Sequence, residues 1–376
     1  MREAQSFRNR ITVFSFLMTV LVIYVHAENL AFFLPEAVLD DFQARVSVAG
    51  VTGFRAALLA FADGDRMLSF FVIIEKVLSG IIGAAAVPGF FLISGYLFFR
   101  GTDHFWQRLP GKWARRLRSL LVPYLLWNGI YFLVYVVWQG TPVTLQNFAA
   151  ALIDYKYNPV FWYMKQLLLL TLLAPVTWML LTAARKSGAA AVLIWGAAFW
   201  LAANYRLLPI HIVNEDAYFY YLTGALFAVR APALFEGAGE RRQLNMAFLA
   251  GGLALFGALL LLPLFYARGI LYPVLLFRLC LPLAVFFGLA ALRIPRCDSS
   301  SALPGVFHIS FFVYAVHYLE VKAVNYLLAF LFPGESAVFF FAYLLLPLIS
   351  IAGAYVMTCL MRRCAPGIYS TLTGGR

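Results

Sequence analysis

Apolar blocks of about membrane-spanning length recur from one end of the chain to the other, separated by short polar or basic joints. The first reads ITVFSFLMTVLVIYVHA, follows Arg2, Arg8 and Arg10, and resumes after Glu28 and Asn29 as LAFFL. At 1.5 Å per residue, about 20 such residues cross a hydrocarbon core of about 30 Å. The pattern predicts ten spans, over 11–33, 67–99, 115–138, 158–182, 188–204, 217–230, 245–266, 270–292, 304–331 and 337–361. This is an all-α, polytopic membrane chain, since helices satisfy their own backbone in lipid. Successive helical residues lie about 100° apart, so Ser15, Thr19, His26 and Asn29 share one stripe, a polar seam on an apolar helix. An ionisable group such as His26 is costly in a span and marks a site facing protein or water.

The second span is too long for a straight crossing. It carries Glu75 and Lys76 in its outer half and ends in AAAVPGFFLISGYLFFR, where Pro88 and Gly89 predict a kink or break. The small pair Ser94-Gly95 near the inner end reads first as a close helix contact. Between 34 and 66 lies the longest non-spanning segment, which mixes aspartates with apolar patches in the manner of a lid or re-entrant piece.

Composition narrows the class. The 376 residues are 63% hydrophobic and only 12% charged, against about a quarter charged in soluble domains. No hydrophilic stretch is long enough for a separate domain, so residues 1–376 read as one transmembrane domain. No internal repeat is apparent, which weighs against inverted-repeat transporter folds. The formal charge of +12 records topology: with the N-terminus in the cytoplasm, nineteen cations fall inside, six outside and four within spans. Both termini are then cytoplasmic, the membrane is the partner of the basic balance, and no nucleic acid is needed to explain it. Val25-His26-Ala27 has the form of a signal-peptide cleavage site, but the apolar run continues past it and the loop bias favours an uncut helix. Cys280, Cys297, Cys359 and Cys364 lack paired spacing and are expected to be free thiols in a reducing compartment.

Candidate chemistry gathers at two levels. Arg108, Lys112, Arg115 and Arg118 step by four, three and three along one helical face just inside the membrane, a cradle suited to a polyanionic ligand or to lipid headgroups. In the ninth span Ser310, Tyr314 and His317 form a second polar seam. His26 lies about 22 Å and His317 about 20 Å from the inner ends of their spans. Lys165, about 9 Å from the outer side, Arg278, about 12 Å from it, and Glu75 belong to the same outer layer, a polar chamber opening outward. There is no phosphate-binding loop, no metal-ligand spacing and no serine-nucleophile motif, so no metal and no bound cofactor are expected. A proton-accepting histidine, a phosphate-suited inner face and a membrane between them suit acyl transfer from a cytoplasmic carrier to an acceptor outside. A secondary transporter or flippase, with Glu75, Lys165, Arg278 and His317 as a charge relay, is the rival class. A non-catalytic partner of polysaccharide export is a third.

Seven segments in order also resemble acyltransferase family 3, membrane enzymes that acylate bacterial surface glycans. They are LVIYVHA, VPGFFLISGYLFF, KWARRLRSLLVPYLLW, FWYMKQLLLL, FYYLTGALFA, SFFVYAVH and the terminal TLTGGR. The resemblance implies ten helices, an acyl-CoA donor (acetyl-CoA above all), a glycan or glycolipid acceptor and a place in the bacterial inner membrane. It implies His26 as the catalytic histidine, Arg115 and Arg118 as the pair that handles acyl-CoA, and His317 in the family's ninth-span position. On this reading Lys112, Arg8 and Ser94 complete the donor side, while Lys165 and Arg278 are the candidate oxyanion stabilisers beside Glu75. Two positions depart from the family pattern. Ser15 stands where an arginine is usual, with Arg8 five turns from His26 on the same face, and Lys165-Gln166 stands for the usual Arg-Asp.

Overall fold

The computed structural model describes residues 2–33, 66–101, 103–204, 213–237, parts of 243–254, 272–291 and 305–375. The segment 34–65, most of the span expected at 245–266, and Cys297 lie outside the described residues. Among the described residues every regular element is helical. Four helices are long and apolar enough to cross a bilayer: Ser6–Phe32, Phe70–Phe99, Phe105–Gln139 and Ser336–Cys364. A bent pair, Pro159–Leu172 with Ala174–Lys186, adds a fifth, and Gly188–Ala203 and Val274–Ala290 are shorter apolar helices. The chain is therefore an all-α integral membrane protein. Its lipid-facing belt is plain in Val137 and Phe330, 87% and 83% exposed at the protein surface.

Helix α1 (Arg2–Ala27) is followed by α2 (Arg66–Lys76) and α3 (Ala86–Phe99), which a wide π-type turn over Val77–Ile82 and a tight turn over Gly83–Ala85 separate. The kink or break expected at Pro88 is not seen: Phe70–Phe99 is one continuous helix, whose irregular turns lie upstream of that proline. That proline sits in the first turn of α3, where a missing N–H leaves no helical bond unmade. Next come α4 (Phe105–Arg116), a second π-type turn over Leu117–Leu121, and α5 (Val122–Gln139), which ends at Gly140 in the left-handed conformation (φ 65°). The wide turn absorbs Pro123, which has no N–H to give the preceding turn.

After α6 (Leu145–Ile153), the fourth expected span divides into α7 (Trp162–Leu172) and α8 (Ala174–Lys186), bent by 63°. The uninterrupted helix expected over 158–182 is thus corrected. Pro175 cannot donate to the Thr171 carbonyl, and the indole N–H of Trp113 takes that place at 2.9 Å. Helices α9 (Gly188–Ala203), α10 (Glu215–Arg230), the short α11 (Pro232–Glu236), α12 (Tyr272–Ala291), α13 (Ser310–Leu331), α14 (Ser336–Cys364) and α15 (Pro366–Thr373) complete the described chain. Cys280, Cys359 and Cys364 are free thiols.

The tightest packing joins α3 and α10. A Cβ on Gly95 would stand 1.9 Å from the Tyr221 carbonyl oxygen, and one on Gly224 would stand 1.8 Å from that of Leu92. Backbone thus meets backbone, reciprocally, as small residues permit in membranes. The same residues sit in matching strings, ISGYLF in α3 and LTGALF in α10. Both helices end at one anchor. Glu236 accepts a fork from Arg100, with Nε to Oε1 at 2.6 Å and Nη2 to Oε2 at 3.0 Å, and the Tyr96 hydroxyl donates to Oε1 at 2.7 Å. Arg10 of α1, 4% exposed, donates to the carbonyls of Phe235 and Glu236 at 2.9 and 3.0 Å and stacks over Phe286. One end of α1, α3 and α10 is thereby tied together.

Helices α1 and α13 run side by side in the same direction. Three ring contacts climb them in step: Phe16 with Phe307 (4.9 Å), His26 with His317 (5.4 Å) and Phe32 with Tyr326 (5.7 Å).

Two expectations for stability follow from this packing. Gly95→Ala or Gly224→Ala forces α3 and α10 apart and should destabilise the protein by about 1–3 kcal/mol, as overpacking does. Thermal unfolding in detergent reads this, and Gly196→Ala, where the added methyl meets nothing within 4 Å, is the control. Trp113→Phe keeps the ring but strands the Thr171 carbonyl, with an expected loss of about 1–3 kcal/mol in the same measurement.

Candidate active site

His26 stands in the last turn of α1, and His317 one third of the way along α13. Their rings are 5.4 Å apart between centroids, tilted by 49°. The shared depth expected from residue counting is thus realised as direct contact. His317 is fully buried, and its Nδ1 lies 2.8 Å from the Tyr314 carbonyl oxygen. A carbonyl only accepts, so Nδ1 carries the proton, and in the neutral ring Nε2 is left as a lone pair. That Nε2 is buried and has no hydrogen-bond partner among the described residues. Buried polar atoms without partners are uncommon, and one on a histidine beside a second histidine marks a place where a proton-bearing group belongs.

Aromatic rings wall the pair. Tyr318 meets the His26 ring edge-on at 5.6 Å and stacks against Tyr131 of α5 at 6.4 Å. The Tyr131 hydroxyl donates to the Ala315 carbonyl at 2.9 Å, fixing α5 against α13. Tyr314, whose own hydroxyl donates to the Val160 carbonyl, lies 6.0 Å from His317. From Tyr314 a line of side chains leads away. Tyr163 of α7 meets Tyr314 edge-on at 6.2 Å, and its hydroxyl is 3.3 Å from that of Ser94. Tyr221, buried and backed against Gly95, lies within electrostatic reach of both Tyr163 and Arg116. The small pair Ser94-Gly95 therefore serves twice. The glycine admits α10, and the serine faces the tyrosine line.

At the far end of that line is the basic face of α4. Lys112 donates to the Phe98 carbonyl and stands within electrostatic reach of Arg108, Arg115 and Arg116. Arg108, Arg115 and Arg118 are exposed. The last turn of α15 closes against this region. Gly374 (φ 66°) is so near Ser119 that a Cβ would meet its carbonyl oxygen at 2.5 Å, and the Trp127 indole donates to the Leu372 carbonyl at 3.1 Å.

The remaining expected site residues are placed elsewhere. Lys165 turns to α6, donating to the Ile153 carbonyl at 2.8 Å and standing over the Tyr155 ring, while Gln166 accepts from the Asn214 amide at 3.0 Å. Arg278 stands in α12, half-buried. Glu75 is wholly buried just past the end of α1. Its Oε2 accepts from the Asn29 amide at 3.3 Å, and its Oε1 is without a partner among the described residues. Around it Lys76 pairs with Glu28 at 2.5 Å, Ser79 donates to Glu28 at 3.0 Å, and Asn29 donates to the Phe339 carbonyl at 2.8 Å. Of the α1 seam, Thr19 is spent on the Ser15 carbonyl at 2.9 Å. Arg8 is exposed, eighteen residues and about 27 Å of helix from His26, and Arg10 is the buried arginine of α1.

Sequence reasoning did not single out Tyr318, Tyr131, Tyr135 or Lys322. The signal was present in HYLEVK, where Tyr318 follows His317 and Lys322 stands one turn on, inside a span. Among the described residues no group of three His, Cys, Asp or Glu side chains is gathered closely enough to hold a metal ion.

The comparison with known families covers nearly the whole chain. The family model for an acyltransferase domain matches residues 9–359 of 376, a range holding the histidine pair, the tyrosine line and the basic face of α4. No curated protein and no solved structure matches. The chain is a member of acyltransferase family 3 and an integral-membrane acyltransferase.

Proposed function

We propose that the protein is an O-acyltransferase of the bacterial inner membrane, moving an acyl group, acetyl foremost, from cytoplasmic acyl-CoA to a hydroxyl of a surface or exported glycan. One observation carries the reading. The contact between His26 and His317 sets a proton acceptor at the end of a line of polar side chains that begins at a cluster of exposed arginines.

The chemistry balances with the residues in hand. Arg115 and Arg118 hold the phosphates of the donor in forked contacts, with Lys112 behind them. The thioester arm lies along Tyr221, Tyr163, Ser94 and Tyr314. His26 takes the proton of the acceptor hydroxyl, whose oxygen attacks the thioester carbonyl. The carbon–sulfur bond breaks, and the proton passes from imidazole to the departing thiolate, giving CoA and an ester. His317, its Nδ1 bound to the Tyr314 carbonyl, keeps a fixed ring beside His26 and supports the imidazolium as it forms. Lys165, bound to the Ile153 carbonyl, takes no part in this step.

The test is CoA release from acetyl-CoA by the purified full chain with a glycan acceptor. His26→Ala should lower kcat by about 10²–10⁴-fold, the usual contribution of a general base. Full turnover in that variant overturns the assignment, and uptake of substrate into vesicles without any CoA release would establish a transporter instead. Arg115→Ala and Arg118→Ala should each raise KM for acetyl-CoA about tenfold with kcat largely kept, the loss expected for one charged contact. An unchanged KM in both overturns the cradle.

A further inference from the structure

Beyond the histidine pair, toward the end of α13 where Tyr326 meets Phe32, stands Lys322. Its ammonium donates to the Tyr135 hydroxyl at 2.8 Å and lies 4.7 Å from the centroid of the Tyr318 ring. Tyr318 is the ring whose edge meets His26. One aromatic side chain thus separates this cation from the reacting centre.

Its partners distinguish Lys322 from Lys76, Arg100, Lys112 and Lys165, while Arg362 at the end of α14 shares its pairing with a phenol, that of Tyr369, far from His26 in sequence. Lys76 rests on Glu28 and Arg100 on Glu236, while Lys112 and Lys165 rest on backbone carbonyls. Among the described residues no carboxylate pairs with Lys322. Glu320, two residues earlier, faces the other way, bound by the Ser350 hydroxyl and close against Gly353 of α14. The oxygen that accepts from Lys322 is a phenol, that of Tyr135. A phenol that accepts from an ammonium still has its own O–H to give. Lys322, Tyr135 and Tyr318 therefore present a positive charge and two hydroxyl donors with no anion among them, in a region where an unpaired charge is costly.

We infer that Lys322, Tyr135 and Tyr318 form an acceptor subsite for an anionic sugar, whose carboxylate or phosphate completes the missing ion pair while a neighbouring hydroxyl reaches His26. The inference rests on the acyl-transfer reading for the identity of the acceptor. It adds the class of that acceptor, an acidic glycan or a sugar phosphate, and the residues that select it.

The full chain in lipid nanodiscs is titrated calorimetrically, without acyl-CoA, with three probes. They are a tetrasaccharide of alternating glucuronate and N-acetylglucosamine, its carboxyl-reduced neutral counterpart, and glucose 1-phosphate. Wild type should bind an anionic probe at least tenfold more tightly than the neutral one. A preference for the tetrasaccharide names the carboxylate, and one for glucose 1-phosphate names the phosphate. Lys322→Met should erase the preference, Lys322→Arg should keep it within a few-fold, and Tyr135→Phe should weaken anion binding about three- to tenfold. Equal binding of charged and neutral probes by wild type, or a preference that survives Lys322→Met, overturns the subsite. Should Lys322→Met fail to fold, the wild-type preference and the Tyr135→Phe loss still decide. Selective anion binding by a chain that releases no CoA from acetyl-CoA would overturn the acyl-transfer reading and leave the subsite standing, while CoA release without selective binding overturns the subsite alone.

Discussion

Hydrocarbon offers no hydrogen bonds, and that single deficiency organises this molecule. Each backbone group freed by a proline or a helix end must find a partner within the protein. Hence the Trp113 indole at the Thr171 carbonyl, the Arg10 guanidinium at the end of α11 and the Tyr131 hydroxyl at the Ala315 carbonyl. The same deficiency gives unpaired groups their meaning. Several buried polar atoms lack a partner among the described residues, and of these the bare Nε2 of His317 belongs to a ring that meets His26, as does the Tyr318 ring beneath the carboxylate-free ammonium of Lys322.

The scaffold that presents these groups is stiff where stiffness matters. Reciprocal backbone contact at Gly95 and Gly224 leaves no room for α3 and α10 to slide, and Glu236 locks their shared end to α1 through Arg10. Ser94 and Tyr221, one on each of these helices, are consequently fixed relative to each other. On the proposed mechanism the thioester arm would then lie over rigid elements, as precise positioning of a reacting group demands.

Much of this could be read from the chain itself, because helical rise converts residue number into depth. Counting along two spans set His26 and His317, 291 positions apart, at one level, and their rings touch. Depth, however, says nothing about direction around a helix or about which helices are neighbours. Lys165 lies in a fitting layer yet turns to Ile153. The clamp of Arg100 on Glu236 joins residues 136 apart with no local pattern to announce it. Pro88 and Pro175 show the same limit within one helix. Both signal a break, but the helix runs on past the first, with its irregular turns upstream, and breaks directly before the second, where the Trp113 indole takes the carbonyl set free.

The parallel run of α1 and α13 has a consequence for the order of events in the cell. One imidazole leaves the ribosome 291 residues ahead of the other, and over that stretch of translation the earlier ring is without its companion. Whatever polar or lipid surroundings shelter it meanwhile must be surrendered when the late helix inserts. A nascent chain halted before that insertion carries His26 and the glycine-locked helices but not the second imidazole against which the first one packs.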